Sequence, residues 1–146
     1  GQAITREWLM DMTATTYSYA TVTEMSGETI KTVLEDVCDN LFNPDPYYQQ
    51  GGDMVRVGGL QFSCDPSARM GGRIGDMRLK GQLIEAGKKY KVAGWAPVAE
   101  EARTQGNKQV WDVVEQWLKA QGGKVKPRML NAPKITGGLP NAGYVA

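Results

Sequence analysis

Apolar residues recur at helical spacing in two long stretches of the chain. Ile30, Val33, Leu34, Val37, Cys38 and Leu41 fall at i, i+3, i+4, i+7, i+8 and i+11, with Lys31, Glu35, Asp36 and Asp39 off the stripe. Ser26 is placed to cap this helix, Glu28 lies in its first turn, and Asn43-Pro44-Asp45-Pro46 stops it. The stripe puts Cys38 on the buried face, as a core residue. Val110, Val113, Val114, Trp117 and Leu118 predict a second amphipathic helix, closed by Gly122-Gly123. A shorter helix is expected to start at Thr5, its N-cap, with Ile4 and Leu9 at the two positions of a hydrophobic staple. A further helix is expected to begin near Pro97.

Strand signals cluster in the middle of the chain. β-Branched and aromatic residues with partial alternation predict strands at Tyr17–Met25, Met54–Val57, Leu60–Cys64, Arg73–Leu79 and Tyr90–Trp95. Gly58-Gly59 interrupts the second and third of these, and Asp65-Pro66 ends the third. Gly81 and Gly87 suit turns between the last two. Lys124 to Ala146, with three prolines and three glycines, is expected to wrap as an irregular tail. Strands and helices interleave irregularly, which predicts a single α+β domain with a mixed or antiparallel sheet and flanking helices.

Composition narrows the chemistry. The 146 residues carry 17 Lys+Arg against 16 Asp+Glu, a balance that gives no electrostatic case for nucleic acid or an anionic membrane as partner. There is no histidine, which excludes a self-contained Ser-His-Asp or Cys-His enzyme and a His-ligated zinc site. Cys38 and Cys64 can be one disulfide in an oxidising compartment or two buried thiols. No apolar run approaches the ~20 residues that span a bilayer. The sequence opens at Gly1 with GQAITREW, not with a basic-then-apolar leader, and a piece of a longer protein is expected.

Several constellations qualify as candidate chemistry. The glycine pairs at 51–53, 57–59 and 71–75 can offer backbone N–H groups to an anion, but none matches a phosphate-binding fingerprint, and turn or bulge geometry is the default. Arg56, Arg69, Arg73 and Arg78 lie close in sequence and can form an anion-recognising group; solvent-facing positions are the default. Asp53, Asp65 and Asp76 sit near glycine-rich turns, without the spacing of a calcium loop. The segment Tyr47-Tyr48-Gln49-Gln50-Gly51-Gly52-Asp53 carries more aromatic and amide character than a linker needs. It reads as one wall of a binding site, with Trp95 in AGWAP as a second; the competing reading has Tyr48 and Trp95 plugging the end of a core. Trp8, Trp111 and Trp117 fall in helical patterns and read as core or interface.

MSGETIKTVLED at 25–36, VRVGGLQFSCD at 55–65, RIGDMRL at 73–79 and Tyr90-Lys91-Val92-Ala93 resemble the C-terminal domain of 5′-nucleotidases. LFNPDPYYQQGGDMVRVGG at 41–59 with YKVAGWAPVAEEA at 90–102 is similar to the SoxB branch, the thiosulfohydrolases of periplasmic sulfur oxidation. The resemblance implies a pocket domain over residues 1–135, a tail at 136–146 and a metallophosphoesterase-like catalytic domain upstream. That upstream domain would hold two manganese ions, with no cofactor on this one, which alone would be inactive. The implied reaction releases sulfate from a thiosulfonate on a cysteine, carried by the Gly-rich arm of the SoxYZ carrier protein, in the periplasm. Tyr47, Tyr48, Gln49, Gln50, Gly51, Gly52 and Asp53 would then wall the channel for that arm, with Trp95 opposite and Arg56 attracting the sulfonate. Nucleotidases stack a base between two aromatic residues and carry a GGDG-like segment where this chain reads Trp95-Ala96-Pro97-Val98-Ala99-Glu100-Glu101, a departure that disfavours nucleotide hydrolysis. A nucleotidase domain and a carrier-docking module without pocket contacts are the alternative readings.

Overall fold

A computed structural model of the chain describes residues 2–13, 18–51, 54, 56–94, 107–122, 124–126 and 132–137. The expected α+β class holds, with helices beside one two-stranded and one four-stranded sheet. The helix expected near Pro97 lies outside the described residues. The chain divides into two compact units, residues 1–24 with 90–128, and residues 25–89 with 129–146.

In the first unit, helix α1 (Arg6–Met12) is capped as expected, the Thr5 hydroxyl accepting from the Trp8 N–H at 3.1 Å. Strand β1 (Thr21–Ser26) pairs with β5 (Lys89–Gly94). Of the strand expected at Tyr17–Met25, Tyr17 lies outside the described residues, Tyr19 makes an isolated bridge to Gln109, and the described strand begins at Thr21. Flanking bonds, Ala20 N to Lys108 O and Val110 N to Ser18 O, both at 2.8 Å, anchor the start of helix α3 (Val110–Ala120). Gly122, at φ +71°, provides the left-handed stop. Arg6 of α1 reaches Asp112 and Glu115 of α3 at 2.6 and 2.8 Å.

In the second unit, helix α2 (Gly27–Phe42) starts on the Ser26 hydroxyl, which accepts from the Thr29 N–H at 3.0 Å. Its first residue must be small, because a Cβ on Gly27 would overlap the Glu85 carbonyl and the Ile84 side chain. The helix packs its apolar stripe on a sheet ordered β4-β3-β2-β6. Here β2 is Leu60–Cys64, β3 is Ile74–Leu79, β4 is Gln82–Leu83 and β6 is Lys134–Ile135. The pairs β2–β3 and β3–β4 are antiparallel and β2–β6 is parallel, so the sheet is mixed. Leu34, Cys38, Phe62, Cys64 and Ile74 form the closed core, with Ile30, Met54, Val57, Leu60 and Met77 around it.

Three details depart from the sequence expectation. Within the segment expected as a strand at Met54–Val57, Val55 lies outside the described residues and neither Met54 nor Arg56 is in a strand: Met54 and Val57 pack on the core, Val57 makes a bridge only, and the described ladder starts at Leu60 after Gly59 at φ +88°. The region expected as an irregular tail contributes β6, fixed by its bonds to Ser63 and Cys64. β3 carries a bulge: Asp76 and Met77 face the single residue Phe62, and Asp76 takes φ +45° there, which Asp tolerates better than most residues. The β3–β4 hairpin turns on Lys80-Gly81, both at positive φ, as its two-residue geometry requires.

Candidate functional site

The segment after α2 is built by its own polar groups. Asn43 caps the helix through its N–H to Asp39 O at 2.9 Å, and its side-chain amide donates to the Asp39 carboxylate at 2.8 Å. The Asn43 side-chain oxygen accepts from the Asp45 N–H at 3.0 Å, and Asp45 in turn accepts from the Tyr47 N–H at 2.9 Å. Pro46 presets the backbone for one 3-10 turn, Pro46–Tyr48. Gln49 donates from its side chain to Asn43 O at 2.8 Å, and the Gly51 N–H donates to Asn40 O at 3.2 Å.

This bracing fixes two aromatic rings in solvent. Tyr47 is 87% and Tyr48 61% exposed, and their rings meet edge to face with centroids 5.5 Å apart. The core-plug reading of Tyr48 is therefore overturned, because the loop's hydrogen bonds turn it away from the interior. Gln50 and Gly51 are exposed beside it. Gly52, Asp53 and Trp95 lie outside the described residues. Arg56 is exposed, though not on a strand.

Beside the tyrosine turn runs an open groove of about 610 Å³. Phe42, Asn43, Pro44 and Gln49 line one side, and Pro66 to Met70 with Arg73 line the other. Gln49 thus both braces the loop and faces the groove. Arg69 and Met70 are exposed here, and the Arg69 guanidinium has no partner among the described residues. The turn that carries them is set by Asp65, whose carboxylate accepts from the Ser67 hydroxyl and N–H at 2.6 and 2.9 Å. The hydroxyl bond is the main reason its carboxyl is held below the usual range.

The four arginines do not act as one group. Arg73 is buried, against its solvent-facing default. Its guanidinium donates to Asp39, to Ala68 O and to Phe42 O, and this pairing makes its burial tolerable. The Arg73 bond, with that of Asn43 second, holds the Asp39 carboxyl below its ordinary value. Arg78 pairs with Asp76 at 2.8 Å and Gly81 O.

Of the glycine segments, Gly71 to Ile74 does bind an anion, but the anion is internal. The carboxylate of Glu35 accepts from Gly71 N at 2.8 Å, Arg73 N at 3.3 Å and Ile74 N at 2.8 Å. Glu35 is buried, against its expected place off the apolar stripe, because those N–H groups replace water. The three tryptophans outside the site do not form a core: Trp8 and Trp117 are 49% and 39% exposed, and Trp111 is half-buried.

Among the described residues no three His, Cys, Asp or Glu side chains gather to hold a metal ion. The family resemblance puts its metal pair on an upstream domain, and no chemistry through a metal is assigned to the described residues. No described helix is long and apolar enough to cross a membrane.

Comparison with known proteins gives the same fold a family. The sulfate thiohydrolase SoxB of Thermus thermophilus, solved in complex with glycerol, is similar at a TM-score of 0.73 and 32% identity, over 95% of this chain and 26% of that one. The chain thus spans about a quarter of the length of that neighbour. A putative 5′-nucleotidase of Staphylococcus aureus, in complex with alpha-ketoglutarate, shares the fold at a TM-score of 0.60 and 11% identity, over 88% of this chain and 29% of that one. No curated protein sequence matches. The model of the 5′-nucleotidase C-terminal domain matches residues 1–104, and the chain belongs to that family.

Proposed function

We propose that this chain is the substrate-pocket domain of a SoxB-like thiosulfohydrolase, acting in the periplasm beside an upstream catalytic domain that binds two manganese ions. Its role is to receive the Gly-rich arm of the SoxYZ carrier and present the cysteine-bound thiosulfonate for release of sulfate. The observation that carries this reading is the solvent-held tyrosine pair on a braced loop, in a chain 32% identical to SoxB over 95% of its length.

The physical fit is direct. An extended, glycine-rich arm has few side chains of its own, so its recognition depends on backbone contacts and on flat surfaces that exclude water. Tyr47 and Tyr48 supply ring faces, and Gln49 and Gln50 supply amide donors and acceptors for a peptide backbone. Gly51, Gly52, Asp53 and Trp95 are the further residues that this proposal assigns to substrate binding from the sequence, with Arg56 to supply positive charge for the sulfonate.

The test is Tyr48→Ala in the full-length enzyme. Turnover of carrier-bound substrate should fall roughly tenfold or more, the scale of losing one well-packed aromatic contact, with metal content unchanged. Loss of metal would overturn the assignment. Amide shifts of the isotopically labelled chain on titration with an S-thiosulfonated Gly-rich peptide should centre on residues 47–53. Shifts with AMP alone would replace this reading with a nucleotidase domain, whose base would stack on the same rings. Carrier binding that survives deletion of the arm would make the chain a docking module.

A further inference from the structure

Cys38 of α2 and Cys64 of β2 are the two cysteines of the chain, 26 positions apart in sequence. They meet in the middle of the core with their sulfurs 3.3 Å apart, 0% and 2% exposed, both as free thiols. A disulfide bond is about 2.0 Å long, so a small rearrangement joins sulfurs already this close. No third ligand stands near them to make a metal site among the described residues.

We infer that Cys38 and Cys64 are a built disulfide site, closed when the chain folds under oxidising conditions and open under reducing ones. The bond would tie together the two ends of the segment that carries Tyr47, Tyr48 and Gln49. Asn40, two residues beyond Cys38, already anchors that segment by accepting from the Gly51 N–H. Closing the bond fixes the last turns of α2 on β2 and with them the platform on which the tyrosine turn stands. This holds whichever ligand the tyrosine turn receives.

The chemistry balances with a small-molecule disulfide as oxidant. The thiolate of one cysteine attacks the oxidant's disulfide, forming a mixed disulfide and releasing one small thiolate. The thiolate of the second cysteine then attacks the chain's own sulfur in that mixed bond, forming the Cys38–Cys64 bond and releasing the second small thiolate. Two electrons pass to the oxidant, and the two cysteine protons end on the two released thiols. Burial, foremost, pushes the Cys38 thiol up to about 12, so the finished core holds almost no thiolate there. Exchange therefore belongs to the folding chain and is slow in the folded one.

The experiment is refolding of the reduced 146-residue chain in a mixture of oxidised and reduced glutathione, followed by alkylation and peptide mass mapping. The expected product is one intramolecular Cys38–Cys64 bond. The oxidised chain should melt higher than the same chain with dithiothreitol, by on the order of 10 °C for a loop of this length. Reduced chain that is folded before glutathione is added should oxidise at least tenfold more slowly than chain oxidised while refolding. Alkylation of both cysteines after oxidative refolding, products limited to glutathione adducts or linked chains, or a bond that leaves the melting temperature unchanged would each overturn the inference. Both redox states of the unmutated chain serve as sample and control, so no substitution has to fold.

Discussion

Helices α2 and α3 look alike in sequence, and the structure treats them differently. Both carry an uninterrupted apolar stripe at helical spacing, and α3 is the more strongly two-faced of them. Yet α2 buries Leu34 and Cys38 in a closed core, whereas α3 has no fully buried residue and leaves Val113 and Trp117 both 39% exposed. The polar neighbours show the same divide. Around α2, Glu35 and Arg73 are buried and every polar contact they need is made within the second unit. Around α3, the corresponding contacts are ion pairs of Arg6 and Lys119 with Asp112 and Glu115, open to water. Periodicity reports which face of a helix is apolar; it does not report whether that face is sealed, because sealing depends on partners distant in sequence.

The contrast breaks most severely at Glu35. Replacing it with alanine strands the N–H groups of Gly71, Arg73 and Ile74, two of them on buried residues, and should cost about 3–4 kcal/mol. Glu35→Gln keeps one acceptor oxygen and should recover part of the loss. Urea unfolding of both variants reads this; equal stability of wild type and Glu35→Ala would refute the internal anion site.

A paired truncation sharpens the comparison next. Leu34→Ala in α2 should cost about 3 kcal/mol, as a core leucine whose space cannot fully collapse. Val113→Ala in α3 should change stability by less than about 1 kcal/mol, because partial burial is lost while alanine improves helix propensity by several tenths. Denaturant midpoints measured side by side decide it, and similar costs at the two sites would mean that α3 is sealed as tightly as α2.

How much of this was legible follows from the reach of each interaction. The α2 stripe, its Ser26 cap and its proline stop are written within one short segment, and each appears where the pattern puts it. The loop after α2 was legible for the same reason, since Asn43-Pro44-Asp45-Pro46 ends the helix locally, whereas the 3-10 turn that Asp45 caps there was not read from the sequence. β4 and β6 are two residues each and exist only through their partners, so no periodicity announces them. Glu35 looked like a surface residue because the N–H groups that hold it come from residues 71–74. The far wall of the groove, Pro66 to Met70, was equally hidden: Arg69 stood out only as one arginine of four. Nothing in the sequence joins it to Gln49.

Acid titration separates the two units by the smallest effect. Asp39 is held below its ordinary value mainly by its bond from the buried Arg73, and Glu115 below its own mainly by its bond from exposed Lys119, with Arg6 a minor cause. A carboxyl depressed in the folded state stabilises the fold above its unfolded pKa, and that stability is lost as pH falls through the folded value. Both groups therefore weaken the fold on acidification below about pH 4, the ordinary carboxylate range. Arg73→Met should raise the Asp39 pKa toward its ordinary value and flatten the acid limb of the stability curve. Lys119→Ala should do the same for Glu115, and Arg6→Ala should move Glu115 less. Salt distinguishes the two origins: 1 M chloride, with a Debye length of about 3 Å, should relax Glu115 beside its mobile lysine and leave Asp39 little changed. Carboxyl NMR titration at low and high salt measures both, and an Asp39 shift that salt removes as readily as that of Glu115 would erase the distinction between a sealed ion pair and an open one.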